Sequence, residues 1–133
     1  MKPLTPWPRW FDIMAVLSVT TGRLVAKNHM DDMYDILNFM TQDELWTHQL
    51  PRACRAVRPV ILGRHPDLVF LELTVHKVCD RDQDLPDWLG KLRRTIIAER
   101  KGEDKVILEP MERGTWEHKN TLVEACEMMG GKA

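Results

Sequence analysis

The chain reads as an α+β domain, mainly helical, with about five helices and a small antiparallel sheet of two strands or slightly more. Three observations carry that expectation. Its 133 residues suffice for one domain with a real hydrophobic core. Apolar residues recur at spacings of three and four over most of the chain, the period of an amphipathic helix. Residues 69–78 (VFLELTVHKV) and 106–108 (VIL) instead read as strands, the first by alternation. No internal repeat or flexible linker divides residues 1–133, so one domain is expected, with residues 1–11 as an extended arm and 129–133 as a frayed end.

Pro3, Pro6 and Pro8 exclude a helix from the arm, and Trp7 and Trp10 are expected to anchor it to the body. Asp12 is placed to cap a first helix whose face is Ile13, Val16, Leu17 and Thr20, and Gly22 supplies the left-handed residue that ends it. Arg23 follows, with Leu24 and Val25 returning to the core. A second helix opens at Asp31 or Asp32, where acids suit the helix dipole. It carries Met33, Tyr34, Ile36, Leu37 and Met40 inward and stops near Thr41. Thr47 is the expected N-cap of a third helix, with Leu50, Cys54, Val57 and Ile61 on its apolar face. Pro51 is harmless in the early turns, whereas Pro59 is expected to kink or end the helix. The strand at 69–78 turns Phe70, Glu72, Thr74 and His76 toward solvent or a thin second layer. A fourth helix over 85–101, capped by Asp84, faces Trp88, Leu89, Leu92 and Ile96 inward and stops at Gly102. After the strand at 106–108 come a loop around Trp116 and His118 and a last helix from Asn120 or Thr121 to Met128. Two short strands alone are marginal, so they must lean on helices.

Composition narrows the function classes. A net charge of −1 supplies no global field for nucleic acid or an anionic membrane. Residues 1–66 hold eight Lys/Arg against six Asp/Glu and residues 67–133 hold eleven against fourteen, too mild an asymmetry for a basic tail or a polyanion mimic. Cys54, Cys79 and Cys126 are an odd number without a C-x-x-C pair, which fits a reducing cytoplasm rather than a disulfide framework. The opening residues lack the apolar run of a signal peptide and no window is apolar enough to span a membrane, so neither export nor membrane insertion is expected.

Motifs for chemistry are sparse. The run Asp80–Asp84 fails as a calcium loop, because the sixth and twelfth positions, which need Gly and Glu, hold Leu85 and Lys91. His76 and Cys79 are one loose pair where a structural zinc site brings two close ones. Cys54 and Cys126 sit among apolar neighbours as small core residues, and Cys79 is the more exposed thiol, with no motif around it. No phosphate loop, zinc-protease motif or nucleophile elbow occurs, so neither a cofactor nor catalysis is the favoured reading.

The richest polar stretch is 41–58 (TQDELWTHQLPRACRAVR). Arg52, Arg55, Arg58 and Arg64 follow Thr47 without an acid between them, and the first three drift over roughly 120° of helix. They suit contacts to phosphate or an acidic partner, or pairing with acids of the same chain. Trp46 stands exposed beside them. His48 and Gln49 brace the corner or hold a ligand, and Arg23 behind Thr20–Thr21–Gly22 either anchors the 41–49 turn or receives an anion. The candidate binding residues are therefore Arg23, Trp46, His48, Gln49, Arg52, Arg55 and Arg58. The expected layout is a braced corner with the arginine helix beyond it free to touch a partner.

Three segments, Ser18-Val19-Thr20-Thr21-Gly22-Arg23-Leu24, Tyr34-Asp35-Ile36-Leu37-Asn38-Phe39-Met40-Thr41 and Thr47-His48-Gln49-Leu50-Pro51-Arg52-Ala53, resemble a family of small uncharacterised proteins of bacteriophages and prophages. The resemblance covers about residues 12–66 and, more weakly, 105–122. It implies a phage genome and the cytoplasm of a host cell, and an accessory protein that binds a host or anti-phage protein stoichiometrically, CRISPR effectors among that class. A nucleic-acid-binding protein using Arg23 and the Arg52–Arg64 helix is one alternative. A small enzyme or ligand-binding domain around Thr20, Thr21, Arg23, His48 and Gln49 is the other.

Overall fold

Strand β1 (Arg9–Asp12) runs without a break into helix α1 (Ile13–Thr21), and this junction sets the architecture. The Asp12 carboxylate accepts the Met14 N–H at 3.0 Å, the N-cap that the sequence led one to expect. Every residue from Ile13 to Thr20 is buried, so α1 is wrapped on all sides rather than carrying one inner face. It ends at Gly22, whose φ of 75° lets its N–H bond the Ser18 carbonyl. The computed structural model describes residues 7–26, 28, 30–112 and 115–117.

Helices α2 (Met30–Thr41), α3 (Leu50–Arg64) and α4 (Leu68–Asp82) pack around α1, and α5 (Trp88–Glu99) packs on the outside of α4. Strand β2 (Lys105–Leu108) closes the chain back onto β1, antiparallel, with Phe11 opposite Val106 and Trp10 opposite Ile107. The sheet buries Phe11, Val106 and Leu108 against the helices and turns Trp10 and Ile107 outward. The described residues thus form an α+β domain of five helices and one two-stranded antiparallel sheet. A buried hydroxyl fixes the return from α1 to α2: Ser18 Oγ donates to the Met14 carbonyl and accepts the N–H groups of Val25 and Ala26 at 3.1 and 3.0 Å. None of helices α2 to α5 is long and apolar enough to cross a membrane, nor is α1.

Several expectations require correction. Residues 69–78 are helical, not a strand: Leu68, Leu71, Glu72, Val75, Val78 and Cys79 are buried at spacings of three and four. The apparent alternation came from Val69, Phe70 and Leu73, which are apolar yet exposed. The strand partner of β2 is instead the end of the presumed N-terminal arm, where alternation buries Phe11 alone. Trp7 and Trp10 are exposed and do not anchor it. Thr47 opens a single 3-10 turn (Thr47–Gln49) and α3 itself begins at Leu50, with Pro51 in its first turn. Pro59 neither ends nor divides α3, because Val57 and Ile61 on either side of it are buried in the core and hold the helix on course. Cys79 is buried rather than exposed, and Asp80 to Asp82 finish α4 instead of forming a loop. The fourth predicted helix begins later than expected, at Trp88, after Asp87 in a left-handed conformation. The expected helix from Asn120 or Thr121 to Met128, the frayed end at 129–133, His118, Cys126 and residues 1–6 lie outside the described residues.

Candidate functional site

The corner after α2 is built by local hydrogen bonds. Gln42 takes a left-handed φ of 53° and its amide donates to the Phe39 carbonyl, turning the chain off α2. Asn38 Oδ1 receives the Leu45 N–H at 2.9 Å, which seats Leu45 in the core. Gln49 is fully buried: its Oε1 accepts the Trp46 N–H at 2.8 Å while its own N–H donates to the Trp46 carbonyl at 2.9 Å. This reciprocal pair closes the 3-10 turn and is the bracing expected of Gln49. Thr47 bonds the Tyr34 hydroxyl at 2.5 Å, tying the corner to α2 instead of capping α3.

What the corner presents is aromatic and cationic. Trp46 is 53% exposed and meets the His48 ring edge-on at 6.0 Å. His48 Nε2 is covered and has no hydrogen-bond partner among the described residues. One turn further along, the Arg52 guanidinium lies 3.9 Å from the centre of the Trp116 ring and donates to the Glu117 carbonyl at 2.9 Å. Trp116 in turn donates its indole N–H to Asp43 at 3.1 Å, in the turn that starts the corner. The corner thus carries two pairs, Trp46 with His48, braced by Gln49, and Arg52 with Trp116, held by Asp43. Trp116 and Asp43 are the members that sequence reasoning missed. A lone Trp in a polar loop was the available signal, but its partner lies 73 residues away.

The other arginines are engaged inside the fold. Arg58 bridges three helices: its Nε donates to the Thr20 carbonyl at the end of α1 and its Nη2 to Glu72 of α4 at 2.8 Å. Glu72 is only 5% exposed and its second oxygen has no partner among the described residues, so Arg58 pairs a buried acid that the sequence had turned toward solvent or a thin second layer. Arg64 pairs with Glu109. Arg23 does not reach the 41–49 turn. It bonds Asp80 at 2.9 Å, near the end of α4. Loss of hydration works to lower the Arg23 pKa, but the bond and charge of Asp80 and a contact with Cys79 leave it raised. Arg55 is exposed and makes no hydrogen bond or ion pair with a described residue. Beside it, burial pushes the Cys54 thiol above its ordinary pKa while the Arg55 charge pulls the other way, a combination that leaves it a poor nucleophile.

Thr20, Thr21, Arg23, His48 and Gln49 are not brought to one cavity. Both threonine hydroxyls bond the Leu17 carbonyl. Arg23 lines a cleft of about 260 Å³ with Leu24, Val25, Cys79, Gln83 and Trp88, which none of the other four residues reaches. Among the described residues no group of three or more His, Cys, Asp or Glu side chains is arranged to hold a metal ion.

Comparison with known proteins gives a family described as a domain of unknown function, DUF7736, to which residues 11–71 are similar. That span runs from β1 into the first turn of α4 and includes the whole braced corner. No curated protein and no solved structure matches the chain.

Proposed function

We propose that the chain is a phage-encoded accessory protein that binds a host or anti-phage defence protein stoichiometrically. Its contact surface is the corner that carries Trp46, His48, Arg52 and Trp116, with Arg55 next to it. The observation that carries this reading is the Arg52–Trp116 stack at 3.9 Å on the helix that follows the exposed Trp46. Tryptophan and arginine dominate the residues that supply binding energy at protein interfaces, and they do so best when held in place before the partner arrives. Gln49 and Asp43 hold them here. The phage setting, a host cytoplasm and the class of partner, CRISPR effectors included, rest on the three sequence segments described above. The nucleic-acid alternative is weakened by the internal partners of Arg23, Arg58 and Arg64. The alternative of a pocket around Arg23 and His48 is weakened by their separate surroundings.

The test is affinity capture with the full chain from infected or defence-bearing cells, followed by titration of the captured component. Wild-type protein retains a partner near one-to-one. Trp46→Ala and Arg55→Glu, both on exposed side chains, each weaken retention at least about tenfold, the loss of one interfacial anchor. Full biological effect at strongly substoichiometric amounts, with nothing retained, would overturn the reading.

A further inference from the structure

We infer that the chain pairs with a second copy of itself through the outer face of α4, the two helices running antiparallel about a two-fold axis. Inside the bundle α4 buries Leu68, Leu71, Val75 and Val78. On the opposite side Phe70 is 72% exposed, Leu73 63% and Val69 43%, an apolar cluster outside the core that the described residues form. The exposed positions Phe70, Leu73, Lys77 and Asp80 step by three, four and three, and Pro66 lies four before Phe70. That spacing is the one a two-helix seam uses, apolar here at Phe70 and Leu73 and charged at Lys77 and Asp80.

The charges choose the occupant and its direction. At the start of the stripe, Phe70 adjoins a cleft of about 250 Å³ lined also by Asp67, Leu71, Glu99, Arg100 and Glu103, three acids against one arginine. Its far end carries Lys77 and Arg81 beside Asp80, whose charge is taken up by Arg23 at 2.9 Å, and neither Lys77 nor Arg81 makes a hydrogen bond or ion pair with a described residue. One end of the stripe is therefore acidic and the other basic, on one and the same surface. An antiparallel copy that sets Phe70 against Leu73 brings Lys77 of one chain to the Asp67 end of the other, twice over. A parallel copy stacks Lys77 on Lys77, a repulsion across the seam. A surface that complements itself after a half-turn is what a two-fold dimer requires. A helix of 15 residues is roughly 22 Å long. It covers less than the standard interface of about 800 Å² per partner, so the dimer is weak, with a Kd on the order of 10 to 100 µM.

Sedimentation of the full chain between about 5 and 500 µM is the test, since association by mass action shows only across such a range. The mass is expected to rise from 15.5 kDa toward twice that value. Leu73→Glu and, independently, Phe70→Ser keep it at the monomer throughout, with unchanged circular dichroism because both side chains are exposed. Asp67→Lys and Lys77→Glu each weaken pairing about tenfold. An equimolar mixture of the two restores it, because only the mixed dimer has opposite charges at both contacts. Should Asp67→Lys lose its folded signal through its bond to Arg100, Glu103→Lys takes its place. A wild-type chain that stays monomeric over the whole range leaves the stripe to a different partner and overturns the inference. Association insensitive to Leu73→Glu and Phe70→Ser overturns it too, as does a mixture that restores nothing.

Discussion

Arg58 shows how a residue chosen for display ends up as structure. Its guanidinium spans the Thr20 carbonyl at the C-terminal end of α1 and the Glu72 carboxylate on α4, so one side chain caps a helix and pairs a buried acid. A cation at a helix C-terminus is favoured by the dipole, and a carboxylate that is 5% exposed needs a partner to replace its lost hydration. Arg58→Met removes both contacts and leaves Glu72 with no partner among the described residues on either oxygen. Because the Arg58 side chain is itself half exposed and water enters the gap, the loss is expected to be about 2 kcal/mol rather than the larger values of dry interiors. Adding Glu72→Met to that variant should recover most of the loss, since an apolar pair of similar volume replaces the orphaned charge. Urea denaturation of the two single variants and the double variant checks this. A double variant no more stable than Arg58→Met alone would mean that the Thr20 contact, not the buried acid, carries the energy.

At the scale of elements, helices α1 and α2 were legible because their signals are local. Asp12 caps, Gly22 takes a positive φ, and the spacing of Ile36, Leu37 and Met40 matches a helix that buries one face. Gln49 as a brace was legible for the same reason, its partner being three residues away. The α4 helix was not, and the cause is physical. Periodicity reports the core only when exposed positions are polar, and here Val69, Phe70 and Leu73 occupy exposed positions. They filled in the gaps of the helical pattern until it resembled alternation. Alternation places Glu72 on an outer face, which hides its bond to Arg58, 14 residues earlier. Alanine substitution separates the two registers directly. Leu71→Ala and Val75→Ala, which empty core positions, should cost about 2 to 4 kcal/mol. Leu73→Ala, on the outer face, should stay within about 0.5 kcal/mol in dilute solution. Thermal melts at low protein concentration make the comparison. Equal losses at Leu71 and Leu73 would argue against this helix register.

Across the whole molecule, a net charge of −1 hides how the charges are arranged. Of the five arginines that suggested a nucleic-acid surface, Arg23, Arg58 and Arg64 are paired with Asp80, Glu72 and Glu109, and Arg52 is laid on Trp116 against the Glu117 carbonyl. Only Arg55 among them makes no hydrogen bond or ion pair with a described residue. These partners come from α4, from Glu109 after β2 and from the Trp116–Glu117 loop, which is why the sequence showed a basic helix and the fold does not. The consequence is measurable through counterion release. Each phosphate neutralised on duplex DNA contributes about −0.9 to the slope of log affinity against log salt. Engagement of all five arginines would give a slope near −4.5, whereas Arg55 alone gives about −1. Fluorescence anisotropy with a labelled duplex, run across a salt series, should therefore show binding that is weak at physiological salt and shallow in its salt dependence. The same series with Arg55→Glu should abolish even that residue of affinity, while Trp46→Ala leaves it unchanged. A steep slope would require the ion pairs to open on contact with phosphate, which would cost the cap on α1 and the partner of Glu72 at the same time. For Arg58, which holds a buried acid, the fold makes that exchange unfavourable.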